Sequence, residues 1–466
     1  MGRLSAESSP PGSAEQLGFV GVRTIPPMTS HPKGATRMTY HLPALSRRRL
    51  LALGGLAGAA GFLTACAGPG GEENASASGG FDGPVEGELS FAHWRAEDKE
   101  VFAGIIADFV KKNPKVTVRQ DISPSNDYQS TALQKLRGGS IGDAFTAFRG
   151  AQFTDIATAG VWADLTGQDL VGRYEPALVT AGAQNGKQLG LPYQLVFNMP
   201  VSNPELLAKA GYAEAPKDWD GFLALADALK RKGITPIAWP GGDAANAGQL
   251  LNVMVVNNAP SDDALAKVQS GELKVTDDWF LTVLRQYAQL RPYFQAGATG
   301  TGNEAAQQLF VQQKAALLAT GSFQAAALRK LGATFPLDLL APITTSADKA
   351  RYEGVFNATF ILGVNAKSTR KGAALAWLRH LSDPAVAGVY ANGTAQHVTV
   401  KGVEYTNADL KAFAPWLARK TALAPRFQFT NLDVRGAVEN AAVQVVGGTA
   451  PEQAAEAAQR VIDQKR

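Results

Sequence analysis

Cys66 is the only cysteine among 466 residues, and it closes the tetrapeptide Leu63-Thr64-Ala65-Cys66. That spacing is a lipobox, in which the thiol is acylated and the cysteine becomes the first residue of the mature chain. Two features ahead of it agree. Ser46-Arg47-Arg48-Arg49-Leu50-Leu51 places paired arginines before an apolar segment, as twin-arginine export signals do. Residues 50–63 are apolar and uncharged, the length of a leader core and too short to span a bilayer as a helix. A buried apolar helix has no need of a cysteine at that position, so residues 1–66 read as a leader and Cys66 as a lipid attachment point. Residues 1–37 exceed what a leader needs; Met28 or Met38 would open one of ordinary size, and a later translation start is expected.

Other spacings carry less. Gly138-Gly139-Ser140-Ile141-Gly142 has the nucleophile pattern Gly-x-Ser-x-Gly, but that elbow needs a strand before it and a helix after it. Here a helix precedes and a strand follows, so the match is a helix-to-strand turn. Beyond the leader only His93, His380 and His397 remain, with no spacing suited to a metal. No catalytic residue, metal or cofactor is expected. Paired carboxylates of a glycoside hydrolase cannot be placed by sequence, and that reading stays open as an alternative.

Export also changes the meaning of the charge. The whole chain carries 45 basic and 41 acidic residues. Residues 1–66 hold seven of the basic ones (Arg3, Arg23, Lys33, Arg37, Arg47, Arg48, Arg49) and two acidic ones (Glu7, Glu15). The remainder has 38 against 39, a net charge near −1 with no basic footprint for nucleic acid. It also has no disulfide, so stability must come from large apolar cores.

The elements follow in order. Residues 67–87, poor in apolar side chains, form a flexible tether with a reach of roughly 25 Å. Residues 88–94, 116–122 and 143–148 read as strands, with helices at 98–112 and 128–137 between them; Val101, Phe102, Ile105, Ile106 and Phe109 make one stripe. This alternation predicts βαβ units and a parallel sheet, whose ligands bind beyond the carboxyl ends of its strands. A second series follows: an extended run from 190 to 201, helices at 204–210 and 218–232, a strand at 235–239, helices at 246–257, 277–294 and 303–312, and a strand at 313–319. A buried strand at 356–364, a helix at 369–381 and a helical tail over 434–465, broken at Gly447-Gly448, complete the α/β pattern.

Four segments in this order resemble the extracytoplasmic sugar-binding proteins of bacterial ABC importers, the family that includes maltose-binding protein. They are Gly190-Leu191-Pro192-Tyr193 with Phe197-Asn198, then Pro216-Lys217-Asp218-Trp219-Asp220-Gly221-Phe222, then residues 310–323, then residues 363–383. The likeness covers nearly all of residues 88–465. It implies a two-lobe periplasmic-binding-protein fold with a hinge and an interlobe cleft, the chain crossing between lobes three times. Residues 88–194 and 354–392 are expected in the N-terminal lobe, 195–353 and 393–466 in the C-terminal lobe. Three positions depart from the family pattern: Gly142 for a proline before Asp143, Phe323 for a tryptophan, and Gln313 for a glycine. The first two are expected at or near the pocket.

A sugar presents apolar C–H faces that stack on aromatic rings, and hydroxyls that need planar donors and acceptors. At expected strand ends and lobe edges the chain offers Trp94, Trp239, Phe323 and Phe356 for the first, and Arg95, Asp127, Arg149, Asp243, Asn357 and Gln396 for the second. The alternative is that each aromatic is core and each charge merely solvated. The resemblance implies a monomer that captures a di- or oligosaccharide and hands it to permease subunits, tethered to the outer face of the cell membrane by lipidated Cys66. Peptide, polyamine or iron-complex binding in the same fold is the alternative.

Overall fold

The computed structural model describes residues 80–139 and 141–466. The leader, Cys66, most of the tether and Ser140 lie outside them. Strands Gly87–His93, Val116–Ile122 and Ala144–Ala147 form as the alternation predicts, with helices Lys99–Lys112 and Ser125–Arg137 between them. Gly87–His93 pairs in parallel with both of the others. Asn113-Pro114 stops the first helix, the Asn113 amide bonding back to Phe109 O at 2.9 Å. The long strand Gly354–Val364 runs antiparallel between Ala144–Ala147 and Leu191–Phe197 and is buried along nearly its whole length. With His397–Val398 on the far edge and Thr421–Leu423 beside Gly354, the sheet has seven strands. Its core gathers Phe91, Phe102, Phe145, Tyr193, Ile361, Trp377 and Tyr390.

A second sheet of four strands is built on Thr235–Ala238 and Ala315–Leu318, which are parallel, with Val201–Ser202 and Asp338–Leu339 beyond. Its core is separate: Phe222, Leu229, Trp239, Leu251, Phe280, Tyr287, Leu318 and Val438 are among its members. Several helices here start on side-chain caps. Asp218 accepts from Gly221 N at 2.7 Å, Asp243 from Ala245 N at 2.9 Å, and Asn431 from Asp433 N at 2.8 Å. We call the two bodies the first and second lobes. Val398, Val400 and Leu410 pack in the first core and His397–Val398 in the first sheet, so the expectation that everything after 392 belongs to the second lobe does not hold there.

Gly142 is a further correction. It precedes Ala144–Ala147, whose carboxyl end carries Phe148 and Arg149, so it stands at the sheet edge away from those residues. Its φ is +83°, closed to proline, and a Cβ there would lie 2.3 Å from Leu136 Cδ2. The glycine permits a tight entry to the strand, where Asp143 accepts from Ser90 N at 3.0 Å and Ser368 Oγ at 2.6 Å.

Candidate functional site

The carboxyl edges of the parallel strands in the two sheets face one another. Asn126, on the first turn after Val116–Ile122, donates to Asp243 Oδ2 at 2.9 Å, beyond Thr235–Ala238. Gln129 Oε1 accepts from Arg435 Nη2 at 3.0 Å, and Glu97 O from Lys330 Nζ at 3.0 Å. Three contacts thus link the lobes around the space that open α/β sheets use for ligands.

Trp94 ends the first strand and is only 7% exposed. Phe148, at the end of the third, stacks on it at 3.8 Å and 20°, while Phe360 and Tyr128 hold its other sides. The half-buried Phe148 is therefore the exposed ring of the pair, with Trp94 as its backing. Phe323 is half-buried in the turn after Ala315–Leu318, the corresponding edge of the second sheet. Its carbonyl faces Gln396 Nε2 at 3.4 Å, and Gln396, 1% exposed, leaves Oε1 without a partner. Nearby on the crossing strand, Asn198 Nδ2 donates to Gln249 Oε1 at 2.9 Å while its own Oδ1 is buried and unpaired. Unpaired buried acceptors next to half-exposed rings suit a ligand with hydroxyl donors.

Arg149 joins Asn357: its Nε donates to Asn357 Oδ1 at 2.7 Å and its Nη2 to Ala424 O at 2.6 Å. Burial pulls its pKa down to about 10. Phe356, half-buried, packs on the second core and lines an adjoining cavity of about 390 Å³ with Arg149, Leu178 and Leu423. Asp127 is exposed beside Asn126, and Asp243 is shared among its helix cap, Asn126 and Asn246.

Two candidates lie elsewhere. Trp239 is 0% exposed, its ring stacked on Phe294 at 5.0 Å and its Nε1 donating to Ala247 O at 3.1 Å. Pro240-Gly241-Gly242 folds back over the indole instead of projecting it; a Cβ on Gly241 would stand 2.6 Å from the ring. Arg95 is spent inside the first lobe. It pairs with Asp98 at 2.8 Å and 3.0 Å and with Glu97 at 3.0 Å, and Asp98 in turn accepts from Tyr390 Oη at 2.6 Å. Among the described residues no group of three or more His, Cys, Asp or Glu side chains could hold a metal.

Gln129, Arg426, Phe427, Arg435 and Glu439 also stand where the lobes meet, and the sequence carries no clear sign of them. Their signal was weak: Arg435 and Glu439 sit one helical turn apart in an alanine- and valine-rich helix, Leu432–Val446, that reads as plain packing.

A family model described as bacterial extracellular solute-binding protein matches residues 95–388. The multiple sugar-binding protein of Streptococcus mutans serotype c is 20% identical over 322 residues, 68% of this chain and 76% of that protein. A solved chitin oligosaccharide binding protein superposes with a TM-score of 0.71 at 22% identity, over 82% of this chain and 99% of that one. A probable secreted solute-binding lipoprotein from Streptomyces coelicolor does so with a TM-score of 0.66 at 18% identity, over 82% and 99%. At such identities the structural likeness speaks for the fold.

Proposed function

The chain belongs to the bacterial extracellular solute-binding protein family, and from that premise we propose that it captures a di- or oligosaccharide between its lobes for a membrane permease. The observation that carries the reading is the pair of half-exposed rings, Phe148 and Phe323, one on each facing sheet edge, beside the unpaired acceptors of Asn198 and Gln396. Rings cover the C–H faces of a sugar and the acceptors take its hydroxyls. The names of the similar proteins support a carbohydrate.

In this reading the chain passes between lobes near 197–201, at 354 and at 421–424. Contacts that the ligand makes with both lobes exist only when they close, so binding shifts the population toward the closed form that the permease recognises. Membership of a binding family supports capture without chemistry at the sugar. The test is thermal shift of the mature protein against neutral oligosaccharides. A ligand at a hundred times its dissociation constant adds about 2.7 kcal/mol of stability. Stabilisation by peptides, polyamines or iron complexes, with none by any saccharide, would overturn the sugar assignment.

Lipid anchoring at Cys66 belongs to the same proposal and is supported by the lipobox and by the lipoprotein among the similar structures. Cys66→Ser is expected to move the protein from the membrane fraction to the medium, because acyl burial is worth about 0.8 kcal/mol per methylene. Among the described residues no helix is long and apolar enough to cross a membrane in its place. An unmodified Cys66 by mass spectrometry in membrane-bound protein would refute the anchor. The paired arginines point to the twin-arginine route for export.

A further inference from the structure

Where the loop after Ala144–Ala147 meets residues 424–429, two guanidiniums share one carboxylate and a third stands across a phenylalanine ring from them. Arg426, 2% exposed, donates to Glu439 Oε1 through Nε at 2.8 Å and Nη2 at 2.6 Å, and through Nη1 to Ala245 O at 2.9 Å. Arg435, 7% exposed, reaches the same Oε1 only at 3.4 Å from Nε, too poorly aligned for a hydrogen bond, and sends Nη2 across to Gln129. Arg149 has only the neutral acceptors of Asn357 and Ala424. The Phe427 ring links two of them, lying 5.5 Å from the Arg149 guanidinium and 5.3 Å from that of Arg426, while Arg435 joins Arg426 through Glu439. Glu439 is itself 2% exposed.

Among the described residues no other carboxylate forms an ion pair with any of the three. On the facing elements, Asp127 is exposed and Asp243 is held by its cap, Asn126 and Asn246. A buried charge without a counter-charge is costly, and burial lowers both Arg149 and Arg435 to about 10. The cationic surplus sits where the two lobes touch, and Arg435 and Arg149 retain N–H groups beyond those in the bonds above.

We propose that the captured saccharide is acidic, a uronic-acid-containing oligosaccharide whose carboxylate supplies the charge that Arg149 lacks and that Arg435 has only as a share of Glu439. This rests on the sugar reading of the cleft and narrows its substrate class. A planar carboxylate matches the guanidinium fork, and removal from water strengthens the pairing.

Calorimetry of the mature protein with trigalacturonate, its methyl ester and a sulfated neutral trisaccharide tests this. The acid is expected to bind at least about tenfold tighter than the ester at low salt, the preference shrinking as ionic strength rises. Arg435→Gln is expected to collapse the acid-to-ester ratio to near one, and Arg435→Lys to restore part of it, with melting curves confirming that both variants fold. Equal or tighter binding of the ester overturns the acidic assignment while leaving the sugar reading intact. Preference for the sulfated trisaccharide overturns the carboxylate. Binding of no saccharide, neutral or acidic, overturns the sugar reading and this inference with it.

Discussion

Trp239→Ala removes a fully buried indole together with its stacking on Phe294 and its hydrogen bond to Ala247 O. The expected cost is about 3–5 kcal/mol of stability, read as a large fall in melting temperature, with ligand affinity per folded molecule unchanged. Lost affinity with normal stability would return the residue to the cleft. Burial governs the histidines as well. His93 Nδ1 accepts from Arg95 N at 3.2 Å, which leaves its Nε2–H for Gln120 Oε1 at 3.1 Å, and burial holds its pKa down at about 4. His397, also buried, is lowered to about 4. Both are neutral when folded and take up protons on unfolding below pH about 6.5. Their contribution is therefore complete above that pH and is lost as pH falls toward 4, by up to about 3 kcal/mol each. Melting temperature followed from pH 7.5 to 4.5 should decline, with a shallower slope in His93→Gln/His397→Gln; parallel slopes would mean that these rings are not the source.

At the scale of elements, the helix Ala151–Thr158 is entered through Gly150, at φ +87° and ψ −135°. A Cβ there would lie 2.6 Å from Phe427 O and 3.1 Å from Phe429 O, so the first lobe's loop seats against the second lobe only because a side chain is missing. Gly150→Ala is expected to cost about 1–3 kcal/mol in backbone strain. It should also push the loop away from residues 427–429 and carry Arg149 with it. Calorimetry should then show weaker ligand binding beside the lower melting temperature. An alanine variant with wild-type values of both would show that the loop does not depend on this close approach. The partner wall depends on Leu432–Val446, which presents Arg435 and Glu439 and starts on the Asn431 cap. Positioning thus comes from a missing Cβ on one side and a capped helix on the other.

At the scale of the molecule, polar contacts such as Asn126–Asp243, Lys330–Glu97 and Arg435–Gln129 link the two lobes. The Asn126–Asp243 bond is exposed, so its worth is at the low end of about 0.5–1.5 kcal/mol. Asn126→Ala should shift the unliganded population toward the open form. Small-angle scattering would show a larger radius of gyration, and ligand affinity would fall a few-fold with melting temperature nearly constant. Identical scattering and affinity would show that this contact does not bias closure. The movement proposed above needs separate bodies, and the two cores are separate, joined by the strands around 197, 354 and 421.

Much of this was written locally. The strands Gly87–His93, Val116–Ile122 and Gly354–Val364 and the helices between them follow from apolar period, caps and Gly/Pro stops, which act within a few residues of the chain. Membership of the binding-protein family was legible in segments such as Gly190-Leu191-Pro192-Tyr193, because their order along the chain is itself local information. Which side chains face the cleft was not. Trp94 and Trp239 both end parallel strands, yet one backs Phe148 and the other is sealed under its own Pro-Gly-Gly turn. Arg95 follows Trp94 as Arg149 follows Phe148, but Asp98, itself held by Tyr390, pairs with the first, while only neutral acceptors meet the second. Those outcomes depend on partners up to 292 residues away, such as Tyr390 on Asp98. Burial and pairing are properties of the assembled lobes, and the tertiary structure alone decided them.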